Sequence, residues 1–304
     1  MRLSQQNSKK KIHDYLESIR GTMEGHIEPS ESSSIREVLA DMISRNPLNS
    51  ELLRYRGSFF AWLGELERAL SDFSTALDLD EHDTLAYIAR SECYARMGRS
   101  DLAIEDADHA VGSAPNDPSV YIARARLLIT QAVHKSLEDI SHAVKLCTKH
   151  DDHHPLALES ILLKSEIERR SGSIPDSLKT LKVAEAIDSM HPVLYQKSAQ
   201  SLLKSPDSLG PALEAISYSI SLDPNSVESR MIKARIEACL GEPQSALTTL
   251  SKAFDLCSND EAMIRFIHLV RGHLCHSAGE IPTAAREFET CLSISQIPSA
   301  VLES

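Results

Sequence analysis

Apolar and polar residues alternate along most of the chain with the period of a helix that buries one face. In the segment 101–111, DLAIEDADHAV, apolar residues three and four positions apart form one stripe, the pattern of an amphipathic helix. The members of this stripe are Leu102, Ala103, Ile104, Ala107, Ala110 and Val111. Because such a helix has to cover its apolar face with neighbours, the pattern predicts an all-α fold.

The pattern also repeats with a period of 34 residues, starting at Ser50 and again at Thr84. The first window carries Gly57, Phe60, Gly64, Ala69, Phe73 and Ala76, and the second carries Ser91, Tyr94, Gly98, Ala103, Ala107 and Ala110 at the same offsets. Small residues such as Ala69 let two helices lie close together, and glycines such as Gly64 suit a left-handed turn between them. Each copy is therefore predicted to be a helix, a turn and a second helix, stacked on its neighbours.

Seven copies of this unit can be followed, near 50–83, 84–117, 118–149, 158–191, 193–226, 227–260 and 265–298. Their small residues at the eighth, twentieth and twenty-seventh positions and their late prolines resemble the tetratricopeptide repeat (TPR) family. The resemblance implies an α-solenoid, a right-handed superhelix of helix–turn–helix pairs. The tryptophan that the family carries at its fourth position is replaced in every copy, by Leu53, Tyr87, Tyr121, Ile161, Gln196, Arg230 and His268, which weakens the last three first helices.

The two ends of the chain are less regular. We expect residues 1–33 to form an extension with one amphipathic helix and a Ser-rich flexible connector, 34–298 to form the solenoid, and 299–304 to form a tail. Residues 9–47 are also compatible with an eighth, imperfect repeat. Phosphorylation of the Ser-rich segment and simple solvation both remain open.

Composition and charge argue against several classes of function. The 304 residues are 42% hydrophobic and 25% charged, which excludes disorder throughout. A formal net charge of −12 has the wrong sign for nucleic-acid binding through phosphates, and no apolar run reaches the roughly 20 residues of a membrane span. The six cysteines are dispersed and are expected to be reduced, small buried hydrophobes. We expect a cytoplasmic protein.

Catalytic chemistry finds little support. The cluster His150, Asp151, Asp152, His153 and His154 could hold a divalent metal, but it lies in a connector with no motif to fix its geometry. A solvated connector is the favoured interpretation, and a metal-dependent enzyme is a weak third one. Nucleotide-phosphate and serine-hydrolase motifs are absent from the sequence. We expect no enzyme activity, no cofactor and no metal.

The TPR resemblance implies that the first helix of each pair lines a concave groove. The second, fifth, ninth, twelfth and thirteenth offsets hold eight basic and five acidic residues, a sum of +3 against −15 for the rest of the chain. The opposite sign favours acidic peptide segments, although the charges could instead pair with one another across helices. The candidate contact residues are Arg54, Arg96, Ile122, Arg126, Arg169, Arg170, Lys197, Lys204, Met231 and Arg235.

In one TPR activity, a clamp of Lys, Asn and Arg side chains holds the carboxylate of heat-shock EEVD tails. The matching positions here are Arg54, Ser58, Ala89, Ser119 and Ala123, so strong binding of such tails is not expected. The leading hypothesis is a non-catalytic scaffold or adaptor that binds a peptide segment of a partner protein in the groove. The alternative is a co-chaperone or enzyme-regulatory subunit without that clamp. The partner and the oligomeric state do not follow from the sequence.

Overall fold

The computed structural model describes residues 29–150, 154–257 and 261–294. These residues form fifteen α-helices and one short 3₁₀ turn, and contain no strand. The chain divides into two compact units, Met1–His150 and Asp151–Ser304. None of the described helices combines the length and the apolar character that a membrane span requires. The predicted all-α fold is confirmed, whereas a single repeat array over 34–298 stays a prediction.

The described part of the first unit begins with a single helix, α1, and continues with three helix pairs. The helices are α1 (Pro29–Arg45), α2 (Ser50–Trp62), α3 (Leu66–Leu79), α4 (Thr84–Arg96), α5 (Ser100–Ser113), α6 (Pro118–Leu128) and α7 (Val133–His150). Within each pair, α2/α3, α4/α5 and α6/α7, the two helices pack closely along their length. Each second helix then packs on the first helix of the next pair, the stacking expected of a solenoid.

The second unit contains four pairs. Its helices are α8 (Ala157–Arg170), α9 (Ile174–Ile187), α10 (Pro192–Leu202), α11 (Leu209–Leu222), α12 (Val227–Cys239), α13 (Pro243–Leu256), α14 (Glu261–Ser277) and α15 (Ile281–Ile294), with the 3₁₀ turn Pro206–Ser208 ahead of α11. The pairs α8/α9, α10/α11, α12/α13 and α14/α15 stack in sequence order. Contacts are therefore local in both units.

Helix α1 starts earlier than the sequence indicates. It includes Pro29 and the serines that follow, the last part of the segment that was expected to be a flexible connector. Proline fits the first turn of a helix because backbone N–H groups there have no partner within the helix, and proline has no N–H to satisfy. The buried Ile35 and Leu39 pack against Leu52 and Phe59 of α2. The rest of the predicted N-terminal extension lies outside the described residues, as does the tail 299–304.

The turns within pairs use glycine as predicted. Five glycines, Gly64, Gly98, Gly172, Gly241 and Gly279, have φ between 74° and 89°. Side chains with a Cβ rarely adopt this conformation. Gly64, for example, is the middle one of the three residues that separate the end of α2 at Trp62 from the start of α3 at Leu66. The predicted left-handed turns are thus confirmed.

One glycine is required for packing rather than for its backbone angle. A Cβ placed on Gly57 in α2 would lie 2.7 Å from the ring of Phe73 in α3, and that ring is completely buried. Gly272 and Phe288 repeat the arrangement in the last pair, with 2.5 Å between the same atoms. These glycines let an aromatic ring sit directly on the first helix.

A buried ion pair joins the two helices of each pair in the first unit, and we call it the polar clasp. Arg56, Arg90 and Arg124, spaced 34 residues apart, each donate two hydrogen bonds of 2.7–2.8 Å to one carboxylate on the second helix. The accepting residues are Asp72, Asp106 and Asp139, whose side chains are 6–8% exposed. Bidentate pairs of this kind fix geometry as well as charge.

The second unit moves the carboxylate of the clasp to the first helix in two of its pairs. Glu168 in α8 accepts a 2.6 Å hydrogen bond from Thr180 Oγ1, and Glu237 in α12 accepts one of 2.7 Å from Thr249 Oγ1. In the last pair, Glu287 of α15 lies 2.7 Å from His268 Nδ1 and 3.1 Å from Arg271 Nη2. These three pairs of the second unit are thus also joined by a largely buried carboxylate, but its partner is a threonine hydroxyl in two pairs and His268 with Arg271 in the last.

Candidate functional site

The first helices of successive pairs lie next to each other within each unit. Helix α4 contacts α2 and α6, and α10 contacts α8 and α12, while the second helices of successive pairs make fewer such contacts. We call the exposed side of α2, α4 and α6 the inner face of the first unit. The corresponding side of α8, α10, α12 and α14 is the inner face of the second unit. All the candidate contact residues belong to these helices or their ends.

Arg54 forms a structural ion pair within the first unit. Its Nε donates a 3.0 Å hydrogen bond to Asp83 Oδ2, and the two side chains are only 16% and 12% exposed. The other oxygen of Asp83 accepts from the backbone N–H of Ala86 and so caps the start of α4. Arg54 thus ties the first helix of one pair to the cap of the next.

Another part of the first unit's inner face, between α2 and α4, forms a small hollow of about 200 Å³ whose wall includes Trp62, Glu92 and Arg96. Arg96 Nη1 donates a 2.6 Å hydrogen bond to the carbonyl oxygen of Ala61. Glu92 is exposed, yet loss of hydration inside the hollow raises its pKa, against the opposing charges of Arg126 and Arg96. Here the carboxylate of Glu92 lies within electrostatic reach of two exposed arginines, Arg96 and Arg126.

The second unit's inner face carries a cluster of three cations around one carboxylate, which we call the Glu166 cluster. Arg169 donates to both oxygens of Glu166 over 3.0 and 2.6 Å, and Arg170 Nε donates over 2.6 Å. Lys197 Nζ, from the next first helix, lies 3.7 Å from Glu166 Oε2. Three positive charges meet one negative charge, so the cluster has a charge of +2.

Titration of the cluster reflects this imbalance. Burial acts to raise the pKa of Glu166, but hydrogen bonds from Arg169 and Arg170 outweigh it and lower the pKa to about 2. For Lys197, burial lowers the pKa. The negative charge of Glu166 acts to raise this pKa, and the positive charge of Arg169 lowers it further. Only 10% of the Glu166 side chain is exposed, against 46% of Arg170. The surface that the cluster presents to solvent is consequently cationic.

Two further cations of this face have no partner in the part of the chain that the structure describes. Lys204, just after α10, and Arg235, on α12, are both exposed. Nearby Glu228 is also exposed and raises the pKa of Lys197 through its charge. Lys204 and Arg235 are therefore free to meet an incoming anion.

The two apolar candidates behave differently from the charged ones. Ile122 is 5% exposed, because it lies within the core of the first unit, and offers almost no surface. Met231 is partly buried against the core around Ala246 and Leu250. Neither side chain stands out from the surface as a contact residue would.

Four exposed apolar residues of the inner faces were not among the candidates, and one of them is Leu85 on α4, which is 51% exposed. Trp62 is 38% exposed, and Phe266 and Leu269 on α14 are 51% and 38% exposed. Each occupies an offset that was used to choose the candidates, so the repeat register contained the signal. Only two of the ten candidates, Ile122 and Met231, were apolar.

Cysteine and histidine chemistry adds no site among the described residues. No disulfide bond joins any of the six cysteines, all of which lie in the described residues, and burial raises the pKa of Cys93 to about 11. Cys239 is exposed, contrary to the expectation of uniformly buried cysteines, because it ends α12 on the solvent side. Most of the cluster 150–154 lies outside the described residues. His154 Nδ1 accepts a hydrogen bond of 3.2 Å from the backbone N–H of Leu156.

Comparison with known proteins agrees with this geometry. The family model described as tetratricopeptide repeat matches residues 85–117, which cover the pair α4/α5 except for Thr84, the first residue of α4. A curated relative, DnaJ homolog subfamily C member 3 of Mus musculus, is 25% identical over 234 residues, or 77% of this chain. The chain spans 40% of the length of that relative.

Solved structures show the same fold at low identity. A tetratricopeptide repeat protein from Parabacteroides merdae has a TM-score of 0.64 and 18% identity, covering 83% of this chain and 96% of its own. Yeast Tom70 has a TM-score of 0.65 and 16% identity, covering 88% of this chain and 56% of its own. With the seven helix pairs described above, these matches identify the repeats. The chain therefore has the tetratricopeptide repeat fold, and its residues 85–117 match the tetratricopeptide repeat family.

Proposed function

We propose that this protein is a non-catalytic scaffold or adaptor that binds an acidic peptide segment of a partner protein on the inner face of its second unit. The TPR fold supports protein–protein interaction in general. The observation that carries the finer proposal is the Glu166 cluster, where three cations share one carboxylate.

The charges of the cluster support recognition of carboxylates. Arg170 is 46% exposed while it touches Glu166, so its remaining N–H groups can donate to a ligand. Lys204 and Arg235 add cations on the same face. Because the whole chain carries −12, this local positive region would orient an acidic segment toward the inner face during association.

A matched pair of double variants tests the proposal. Lys204→Glu with Arg235→Glu reverses two inner-face charges, while Lys182→Glu with Lys252→Glu reverses two exposed charges on the second helices α9 and α13. The probe is a fluorescein-labelled peptide of 12 residues containing six glutamates, measured by anisotropy at low salt. We expect the first variant to weaken binding at least fivefold more than the second.

Two results would overturn the proposal. One is equal binding by both double variants. The other is a single-stranded RNA of equal charge that binds the wild type more tightly than the peptide and depends on the same residues, which would assign the face to nucleic acid instead.

A second candidate is a co-chaperone or enzyme-regulatory subunit. The match with a DnaJ homolog, at 25% identity and 40% of that protein's length, is the observation that favours it. In this case too, EEVD tails are not the expected ligand, since Arg54, at a clamp position, is engaged with Asp83. For either candidate we place the protein in the cytoplasm.

A further inference from the structure

The inner face of the second unit changes from charged to apolar along its length. Helix α8 presents the arginines of the Glu166 cluster, α10 contributes Lys197, and α12 contributes Arg235. On α14 the inner-face offsets carry no Arg, Lys, Asp or Glu; they hold Phe266, Leu269, His273, His276 and Ser277. In the repeat register Leu269 is equivalent to Lys197 and to Met231.

Helix α14 packs in the last pair without using Phe266 or Leu269. The buried Ile267 and the partly buried Val270 and Leu274 already pack α14 on the core around Ala253 and Leu250. Phe266 and Leu269, one helical turn apart, lie beside this packed side of α14, with 51% and 38% of their surface exposed. Together they form an apolar contact of the size that one large side chain can cover.

We propose that one extended segment of the partner spans this gradient, with carboxylates on the Glu166 cluster and a large apolar side chain on Phe266 and Leu269. This inference rests on the proposed function and specifies the partner's pattern. Neighbouring packed helices lie about 10 Å apart, so about 20–30 Å separates the two ends of the site. An extended chain advances about 3.3 Å per residue, which gives a spacing of about six to nine residues between acidic group and anchor.

The test compares synthetic fluorescein-labelled peptides on the full chain by anisotropy. One peptide carries four glutamates followed by a seven-residue Gly/Ser spacer and a phenylalanine; a second has the reverse order. Further peptides have the spacer cut to two residues or the phenylalanine replaced by serine. We expect one order of the full peptide to bind about tenfold more tightly than the serine version, since burying a phenylalanine ring contributes that much. The short spacer should lose this gain.

Variants assign the gain to α14. Phe266→Ser and Leu269→Ser should each remove most of the tenfold gain and leave binding of the serine peptide unchanged. Val183→Ser, which removes a side chain with 52% exposure from the second helix α9, is the matched control and should change neither.

The outcomes separate this inference from the proposed function. If the glutamate peptides bind through Lys204 and Arg235 but phenylalanine adds nothing in either order, the two-part partner pattern is wrong and the acidic-segment proposal stands. A gain that survives both α14 substitutions also contradicts it. If no glutamate peptide binds, both are wrong.

Discussion

Arg90 and Asp106 are joined by two hydrogen bonds of 2.7 and 2.8 Å, from Nε and Nη2 of the arginine to the two carboxylate oxygens. Arg90 also donates to Ser74 Oγ on the preceding second helix over 3.1 Å. Because Arg90 bonds to both neighbouring second helices, its role is to stabilise the fold. The inner face is different, because there several cations compete for a single carboxylate.

Replacing Arg90 should therefore lower stability. Arg90→Met leaves the carboxylate of Asp106, 6% exposed, buried without its partner, and we expect a loss of about 3 kcal/mol in the free energy of unfolding. Arg90→Lys keeps the charge but loses the paired geometry, so about 1 kcal/mol should be lost. Urea unfolding followed by circular dichroism measures both.

A surface ion pair provides the control for this prediction. Arg68 is 64% exposed where it meets Glu65, and Arg68→Met should cost less than 1 kcal/mol. Equal losses at Arg90 and Arg68 would contradict the view that burial of the clasp makes it important.

Glu166 should make stability dependent on acid pH. Its pKa falls from the ordinary 4.5 to about 2 on folding, so the folded state favours the ionised form. The resulting stabilisation is complete above 4.5 and is lost as the pH falls toward 2. Glu166→Gln should flatten the dependence of unfolding free energy on pH in this window.

Glu92 offers a comparison of opposite sign. Because loss of hydration raises its pKa in the folded protein, protonation of Glu92 favours folding, and its contribution to stability increases as the pH falls. Glu92→Gln should therefore change the slope in the reverse sense to Glu166→Gln. The same slope for both variants would rule out the environments described here.

Gly57→Ala should destabilise the first unit. The new Cβ would meet the buried ring of Phe73 at 2.7 Å, and overpacking of this kind costs about 1–3 kcal/mol, more than the roughly 1 kcal/mol that alanine contributes to a helix. Gly112→Ala, with open space around the added Cβ, is the matched control and should be neutral or stabilising. Thermal unfolding in which both variants behave alike would refute this explanation.

Trp62 reports the charge of the hollow in the first unit. It is the single tryptophan of the sequence, it is 38% exposed, and Arg96 lies in the same wall. Iodide should therefore quench its fluorescence more strongly than caesium does. Arg96→Glu should reverse that preference, whereas acrylamide, which is neutral, should quench both proteins equally; an unchanged iodide preference would show that Arg96 does not set the local potential.

The helix pairs and their turns were predictable because they depend on local sequence. The 34-residue spacing, the alanines at contact positions and glycines such as Gly64 act within one pair, and the structure places helices and left-handed turns there. The spacing of Arg56, Arg90 and Arg124 was equally visible. The role of these arginines as ion-pair partners could not be predicted, because each accepting carboxylate lies on another helix.

The candidate site was harder to predict for a physical reason. Offsets show which side of a helix a residue occupies, but not which charges it meets across a turn. Arg54 is held by Asp83, 29 residues later, and Ile122 is drawn into the core. Gln196 replaces the family's tryptophan and was expected to weaken its helix. It instead donates hydrogen bonds to Ser226 and Ser229 of the next pair.

The bond between Arg54 and Asp83 has a consequence for how the chain melts. Asp83 both caps the start of α4 and accepts a hydrogen bond from Arg54, so the preceding pair stabilises the beginning of the next one. Unfolding of the two pairs is thereby coupled. With Asp83→Ala the calorimetric enthalpy should exceed the van't Hoff enthalpy, because segments that used to unfold together would then open one after another.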